Sequence, residues 1–138
     1  MVAAFLRTGA ILKIDAKDSR EAVEATRRGL AVAAVDELLN AGRASVAEID
    51  RLVLPRKTLS HRRKIGMLTS EQSDRLIRLA RVIAATEETF GSQEKAALWL
   101  RRPTSAFDGE TPMSLLDTDE GSRQVEHLLA RIDHGLAA

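Results

Sequence analysis

Residues 45–64 read SVAEIDRLVLPRKTLSHRRK and fall into two short segments of helical character, separated by a Leu-Pro turn. The first segment, residues 45–53, spaces its apolar side chains as an amphipathic helix does. The second, residues 56–64, is dense in cations and is followed by Gly66, a residue type that commonly ends a helix. Two short helices joined by a tight turn, the second of them basic, are typical of the helix-turn-helix motif. The stretch therefore predicts a recognition helix over residues 56–64.

The positive charge of the chain is concentrated in this region. Between Arg51 and Ser70 there are six Lys or Arg residues and no carboxylate, although the formal net charge of the whole chain is only +1. Cations without competing acids suit phosphate binding, because affinity comes from displaced counterions. We expect side chains near the start of the helix to contact base edges and those near its end to contact the DNA backbone. The candidates for base edges are Arg56, Lys57, Thr58, Ser60 and His61, and the candidates for the backbone are Arg62, Arg63 and Lys64. A solvated basic helix face is the alternative that charge alone leaves open.

Helical patterns also precede the motif. Asp18 and Glu21 have the spacing of a capping box and predict a helix over residues 19–28. A second helix is expected over residues 31–41, because its apolar residues share one face and Gly42 follows it. These two helices form a hairpin in front of the motif.

The second half of the chain is helical as well, and no alternating strand pattern of useful length occurs anywhere. Helices are expected over residues 69–90, 92–102 and 119–134, with a loop-like segment over residues 103–117. We therefore predict an all-α fold of two units. Residues 1–67 form the helix-turn-helix unit, with a weakly periodic N-terminal arm over residues 1–17, and residues 68–138 form a second helical unit.

Composition argues against several other classes of protein. Cysteine is absent, so neither a disulfide framework nor a thiolate ligand or nucleophile is available, which fits a reducing compartment and favours the cytoplasm. No stretch approaches the ~18 consecutive apolar residues of a membrane span. The histidines, His61, His127 and His134, lack the spacing of a metal site, and no serine lies in a Gly-x-Ser-x-Gly elbow. We expect no metal, no cofactor and no enzymatic activity.

Five segments carry a resemblance to a known family. They are LTSEQSDRLIRLARV at residues 68–82, the Trp-Leu pair at 99–100, TPMSLLDT at 111–118, RIDHG at 131–135 and, more loosely, TLSHRRK at 58–64. In this order and at this spacing, the chain resembles the Xre/MbcA/ParS antitoxins, whose partners are RES-domain toxins that degrade NAD or transfer from it. The resemblance covers about half the chain closely and extends to an Xre-type helix-turn-helix in front.

The resemblance implies a toxin-binding second unit whose last helix and tail obstruct the NAD pocket of the toxin. It also implies that the first unit represses the operon by binding operator DNA, usually as a homodimer. The implied toxin-binding residues are Trp99, Arg101, Phe107, Asp108, Glu126, Arg131, Asp133, His134, Gly135, Leu136, Ala137 and Ala138.

Other interpretations stay open for several of these residues and for the chain as a whole. By spacing alone, Trp99 and Phe107 are more often core residues than interface residues. Arg131, Asp133 and His134 also fit a charged helix end. The alternative function is a stand-alone helix-turn-helix regulator whose second unit only dimerises. A small hydrolase or transferase is a third possibility.

Overall fold

A computed structural model describes residues 2–14 and 18–135 of the chain, with side chains from Arg7 onward. The helices in these residues are α1 (Val2–Leu12), α2 (Ser19–Arg28), α3 (Ala33–Asn40), α4 (Val46–Leu52), α5 (Arg56–Ile65), α6 (Ser70–Phe90), α7 (Gln93–Leu100) and α8 (Asp119–Asp133). Two short 3-10 turns lie at Ser105–Phe107 and Met113–Asp117. Within the described ranges there is no strand, only an isolated antiparallel bridge between Ala31 and Met67. The all-α prediction is confirmed.

Local capping chemistry starts the helices where the sequence predicts. Asp18 Oδ1 accepts a hydrogen bond of 2.9 Å from the Glu21 amide at the start of α2. At the start of α6, Thr69 Oγ1 accepts from the Gln72 amide at 3.1 Å and Gln72 Oε1 accepts from the Thr69 amide at 2.9 Å. Each bond satisfies an amide that the first helical turn leaves without a partner. These caps set the register of the helices that follow them.

The structure describes a helix in part of the N-terminal arm, for which the sequence indicates no definite structure. Residues 2–12 form α1, which contacts α3. Thr8, Ile11 and Leu12 are buried, with Leu12 only 1% exposed. Among the side chains of α1 that the structure describes, the buried ones lie in the second half of the helix.

Contacts along the chain define two compact units, the first ending at Arg81 and the second beginning at Val82. The boundary therefore falls inside α6, which contributes residues to both units. The division of function between residues 1–67 and 68–138 stays a prediction.

The turn between α4 and α5 is made without glycine. Val53 and Leu54 are each 2% exposed, and both of their amides donate to the carbonyl of Ile49, at 2.9 and 3.1 Å. Burial of two apolar side chains holds the turn in place of a special backbone conformation. Pro55 then stands in extended conformation before the first residue of α5. The predicted helix-turn-helix is thus anchored through its turn.

In the second unit, α8 packs its apolar face inward and contacts the 3-10 turn before it. Val125, Leu128 and Leu129 are buried on this face. Gly121, near the start of α8, is also buried, and a Cβ atom there would overlap the carbonyl oxygen of Leu115. The close approach of α8 to the turn therefore requires a residue without a side chain.

No helix in the described part of the chain is long and apolar enough to span a membrane.

Candidate functional site

The basic helix α5 is held in place by contacts at its start, middle and end. The Arg56 amide donates to Asp50 Oδ1 at 2.8 Å, which links the first turn of α5 to α4. In its middle, α5 buries the side chain of Leu59. Gly66 ends the helix in the left-handed conformation, with φ of +94°. The other side chains of α5 are consequently left at the surface or half-buried.

One face of α5 presents the predicted DNA-reading residues to solvent. Lys57, Ser60, His61 and Lys64 are exposed and follow the spacing i, i+3, i+4, i+7, which places them on one side of a helix. Leu59 lies on the far side. Arg56 is exposed and Thr58 is half-buried. Among the described residues, neither Lys57 nor Lys64 forms an ion pair, so their charges remain available to a polyanion.

Two of the residues predicted to contact the DNA backbone form hydrogen bonds within the chain. Arg62 Nε donates to the carbonyl oxygen of Met67 at 2.7 Å. Arg63 Nη1 and Nη2 donate to Asp36 Oδ2 and Oδ1, both at 2.8 Å. The hydrogen bonds from Arg63 hold the pKa of Asp36 below its usual value, and the same bonds raise the pKa of Arg63. The basic stretch contains no carboxylate of its own, but the fold brings Asp36 to it from α3.

The last turn of α8 presents a second set of predicted residues. Arg131, Asp133, His134 and Gly135 are exposed. Within residues 2–14 and 18–135, the side chains of Arg131, Asp133 and His134 form no hydrogen bond or ion pair. The backbone is nevertheless ordered, because the His134 amide donates to Ala130 O at 3.1 Å. These polar groups are available to a partner molecule. Leu136, Ala137 and Ala138 lie outside the described residues.

The remaining predicted toxin contacts are dispersed over the second unit. Arg101 is exposed and donates from Nη1 to the carbonyl of Ala97 at 3.1 Å. Asp108 is exposed in a turn, and Glu126 is half-buried on α8. These three residues thus lie at the end of α7, in the loop after it and in the middle of α8.

Trp99 and Phe107 occupy core positions. Trp99 is 6% exposed and Phe107 is 9% exposed. The Trp99 ring lies against Phe90, with ring centroids 5.4 Å apart and the planes tilted by 39°. This packing supports the core interpretation of both side chains. Their role as toxin contacts stays a prediction.

Leu98 is an exposed apolar residue on α7. The sequence predicts a helix over residues 92–102, but the sequence analysis does not single out Leu98 as a surface residue. Leu98 is 72% exposed, more than any other large apolar residue that the structure describes. Helical spacing is the signal that distinguishes Leu98 from the buried residues of α7. Ala96 and Leu100 share one face of the helix, and Leu98 is two residues, or about 200° of helical rotation, from each of them, which places it on the opposite face. A leucine exposed to this extent in the second unit is a candidate contact for a partner.

No group of three or more acidic or histidine side chains suited to a metal ion occurs among the residues that the structure describes.

Comparisons with known proteins place both halves in one family. The family model described as the antitoxin Xre-like helix-turn-helix domain matches residues 21–81, and that of the antitoxin Xre/MbcA/ParS C-terminal toxin-binding domain matches residues 85–135. The first match ends at the last residue of the first compact unit, and the second lies within the second unit.

Similar whole proteins are named as antitoxins. The chain is 38% identical to Antitoxin Xre of Pseudomonas putida over 108 residues, which cover 78% of this chain and 67% of the relative. It is 34% identical to Antitoxin Xre of Photorhabdus laumondii over 113 residues, covering 80% and 76%. It is also 35% identical, over 80 residues covering 51% and 50%, to a Prs ADP-ribosylating antitoxin of a Sphingobium species. The chain therefore belongs to the Xre/MbcA/ParS antitoxin family, with an N-terminal helix-turn-helix domain and a C-terminal toxin-binding domain.

Proposed function

We propose that this antitoxin neutralises a RES-domain toxin that consumes NAD, by placing the end of α8 and the residues after it in the nucleotide pocket of the toxin. The observation that carries the proposal is the end of α8 and the turn after it, where Arg131, Asp133, His134 and Gly135 are exposed and lie within the segment that matches the toxin-binding domain.

The chemistry of this turn fits a nucleotide pocket. The Asp133 carboxylate is an anion of the kind that cations around a pyrophosphate bind. The planar guanidinium of Arg131 suits a carboxylate of the kind that accepts hydrogen bonds from ribose hydroxyl groups. The Sphingobium relative is named as an ADP-ribosylating antitoxin, and ADP-ribosylation is a reaction that uses NAD. These features support an NAD-consuming partner.

The first unit, in the same proposal, represses the operon by binding operator DNA through α5. Lys57, His61 and Lys64 form its exposed face, and Arg56 lies at its start. Helix-turn-helix proteins place two such helices in successive major grooves, so the DNA-binding form is a homodimer. Operator DNA and NAD both lie in the cytoplasm, which is where we place the protein.

The experiment that tests toxin neutralisation combines the chain with the product of a neighbouring RES-type gene. NAD consumption is measured with the toxin alone, with the full chain, and with a chain truncated before Ile132. We expect the full chain to stop NAD consumption and the truncated chain to leave most of it. The control is Arg123→Ala, which removes an exposed α8 residue that pairs with Asp119 at 3.1 Å, and it should inhibit fully.

Two outcomes would contradict the proposal in different ways. Full inhibition by the truncated chain would exclude obstruction by the end of α8, although the two proteins would still be partners. If no toxin co-purifies with the full chain, while the chain still retards operator DNA, the stand-alone regulator becomes the better description.

A further inference from the structure

The contact between Arg63 and Asp36 has the geometry with which arginine binds a phosphate group. Both terminal nitrogens of the guanidinium donate to the two carboxylate oxygens, at 2.8 Å each. Such a fork-to-fork pair is the arrangement arginine forms with phosphate as well as with carboxylate. Asp36 therefore occupies the edge of Arg63 that a DNA phosphate would use.

The pair is accessible to exchange. The side chain of Arg63 is 44% exposed and that of Asp36 is 36% exposed. Exposed ion pairs contribute little to stability, because water screens the attraction and ordering two side chains costs entropy. A phosphate oxygen can therefore displace Asp36 without unfolding the unit.

Other contacts hold α5 in position without this pair. Leu59 is buried beneath the helix, the Arg56 amide is bonded to Asp50, and Arg62 is bonded to the carbonyl of Met67. Asp50 caps the start of the helix and has a structural role of its own. Asp36 differs from it, because its partner is a side chain that faces solvent.

We infer that Asp36 is an affinity-determining residue that competes with DNA phosphates for Arg63 and weakens DNA binding by the free antitoxin. This inference rests on the proposed binding of DNA through α5. Removing the carboxylate frees one cation, so the number of phosphates that the protein neutralises rises by one. It also removes a negative charge that repels the DNA backbone near α5.

The test is Asp36→Asn in the full chain, with binding to a promoter duplex measured over a range of salt concentrations. We expect tighter binding by about three- to tenfold at low salt, and a plot of log K against log salt that is steeper by about one unit, since each neutralised phosphate adds about 0.9 to the slope. The matched control is Asp74→Asn, which makes the same charge change and breaks an Asp–Arg pair of 3.3 Å within α6. It should leave the slope unchanged.

A double variant separates competition from general charge. With Arg63→Ala already in place, Asp36→Asn should change affinity no more than Asp74→Asn does. Equal effects of Asp36→Asn and Asp74→Asn in the otherwise native chain would overturn the inference. Weaker binding by Asp36→Asn would also overturn it, because Asp36 would then position Arg63 rather than compete for it.

Heparin elution keeps the inference testable if no duplex is bound. Failure of the wild type to retard any duplex would count against the proposed operator binding alone. Asp36→Asn should then still elute from heparin at higher salt than Asp74→Asn, and identical elution would refute the competition. Asp36→Ala serves as the second variant if thermal unfolding shows that Asp36→Asn does not fold.

Discussion

Replacing Gly121 by alanine sets two opposed effects against each other at the start of α8. In an exposed helix, alanine is more favourable than glycine by about 1 kcal/mol. Gly121 is buried, however, and a Cβ atom there would overlap Leu115 O and lie 2.9 Å from both Leu115 C and Thr118 Oγ1. Backbone atoms cannot rotate out of the way, so α8 must move from the preceding turn, and overpacking of this kind costs about 1–3 kcal/mol. We expect the overlap to outweigh the gain in propensity.

Thermal unfolding of the purified chain measures the result. Because the overlap is with backbone, we take the upper part of that range, about 2–3 kcal/mol, which leaves a net loss of about 1–2 kcal/mol after the gain in propensity. Such a loss lowers the Tm of a chain of this size by about 3–8 °C. Gln124→Ala is the control, because Gln124 is exposed on the same helix and its replacement tests propensity alone. A Tm of Gly121→Ala equal to or above that of the wild type would refute the reasoning, since it would mean that α8 and the turn are not in close contact.

Further predictions concern the two binding surfaces. Changing both Lys57 and Lys64 to alanine should reduce the salt slope of operator binding by about two units, and an unchanged slope in a filter-binding titration would exclude them as phosphate contacts. Changing Leu98 to serine should leave the Tm within about 1 °C, because the side chain is 72% exposed in the free protein. The same change should weaken toxin binding by about tenfold or more if the toxin buries this leucine, and calorimetry that gives a wild-type Kd would remove Leu98 from the interface.

Features that depend on neighbours in the chain could be predicted from the sequence. Ser92 accepts from the Lys95 amide at 3.0 Å, and Thr111 Oγ1 accepts from the Ser114 amide at 3.1 Å, as the cap residues indicate. A cap joins residues three apart, so its geometry follows once a helix starts there. The recognition helix could also be predicted from the sequence, because its cations and the glycine that follows them lie within one short segment.

Features that depend on tertiary contacts could not be predicted in this way. Asp36 and Arg63 are 27 residues apart, so counting charges along the chain treats Arg63 as available. The core position of Trp99 and the exposure of Leu98 depend on which face of α7 the second unit covers. The sequence supplies the apolar residues, and the packing of the other helices decides which of them become accessible.

The proposed binding surfaces differ in what they must give up before a partner can bind. At the end of α8, the side chains of Arg131 and His134 have no hydrogen bond or ion pair with the described residues, so a toxin has only their hydration to replace. On α5, Arg63 must first release Asp36, a contact of two 2.8 Å hydrogen bonds. A complex that holds two antitoxins together raises the effective concentration of the second DNA-binding helix once the first has bound. The added contacts offset the free energy that is needed to break the Arg63–Asp36 pair at each helix. In the proposed mechanism, the free chain is therefore ready to bind a toxin, whereas its hold on the operator depends more strongly on assembly.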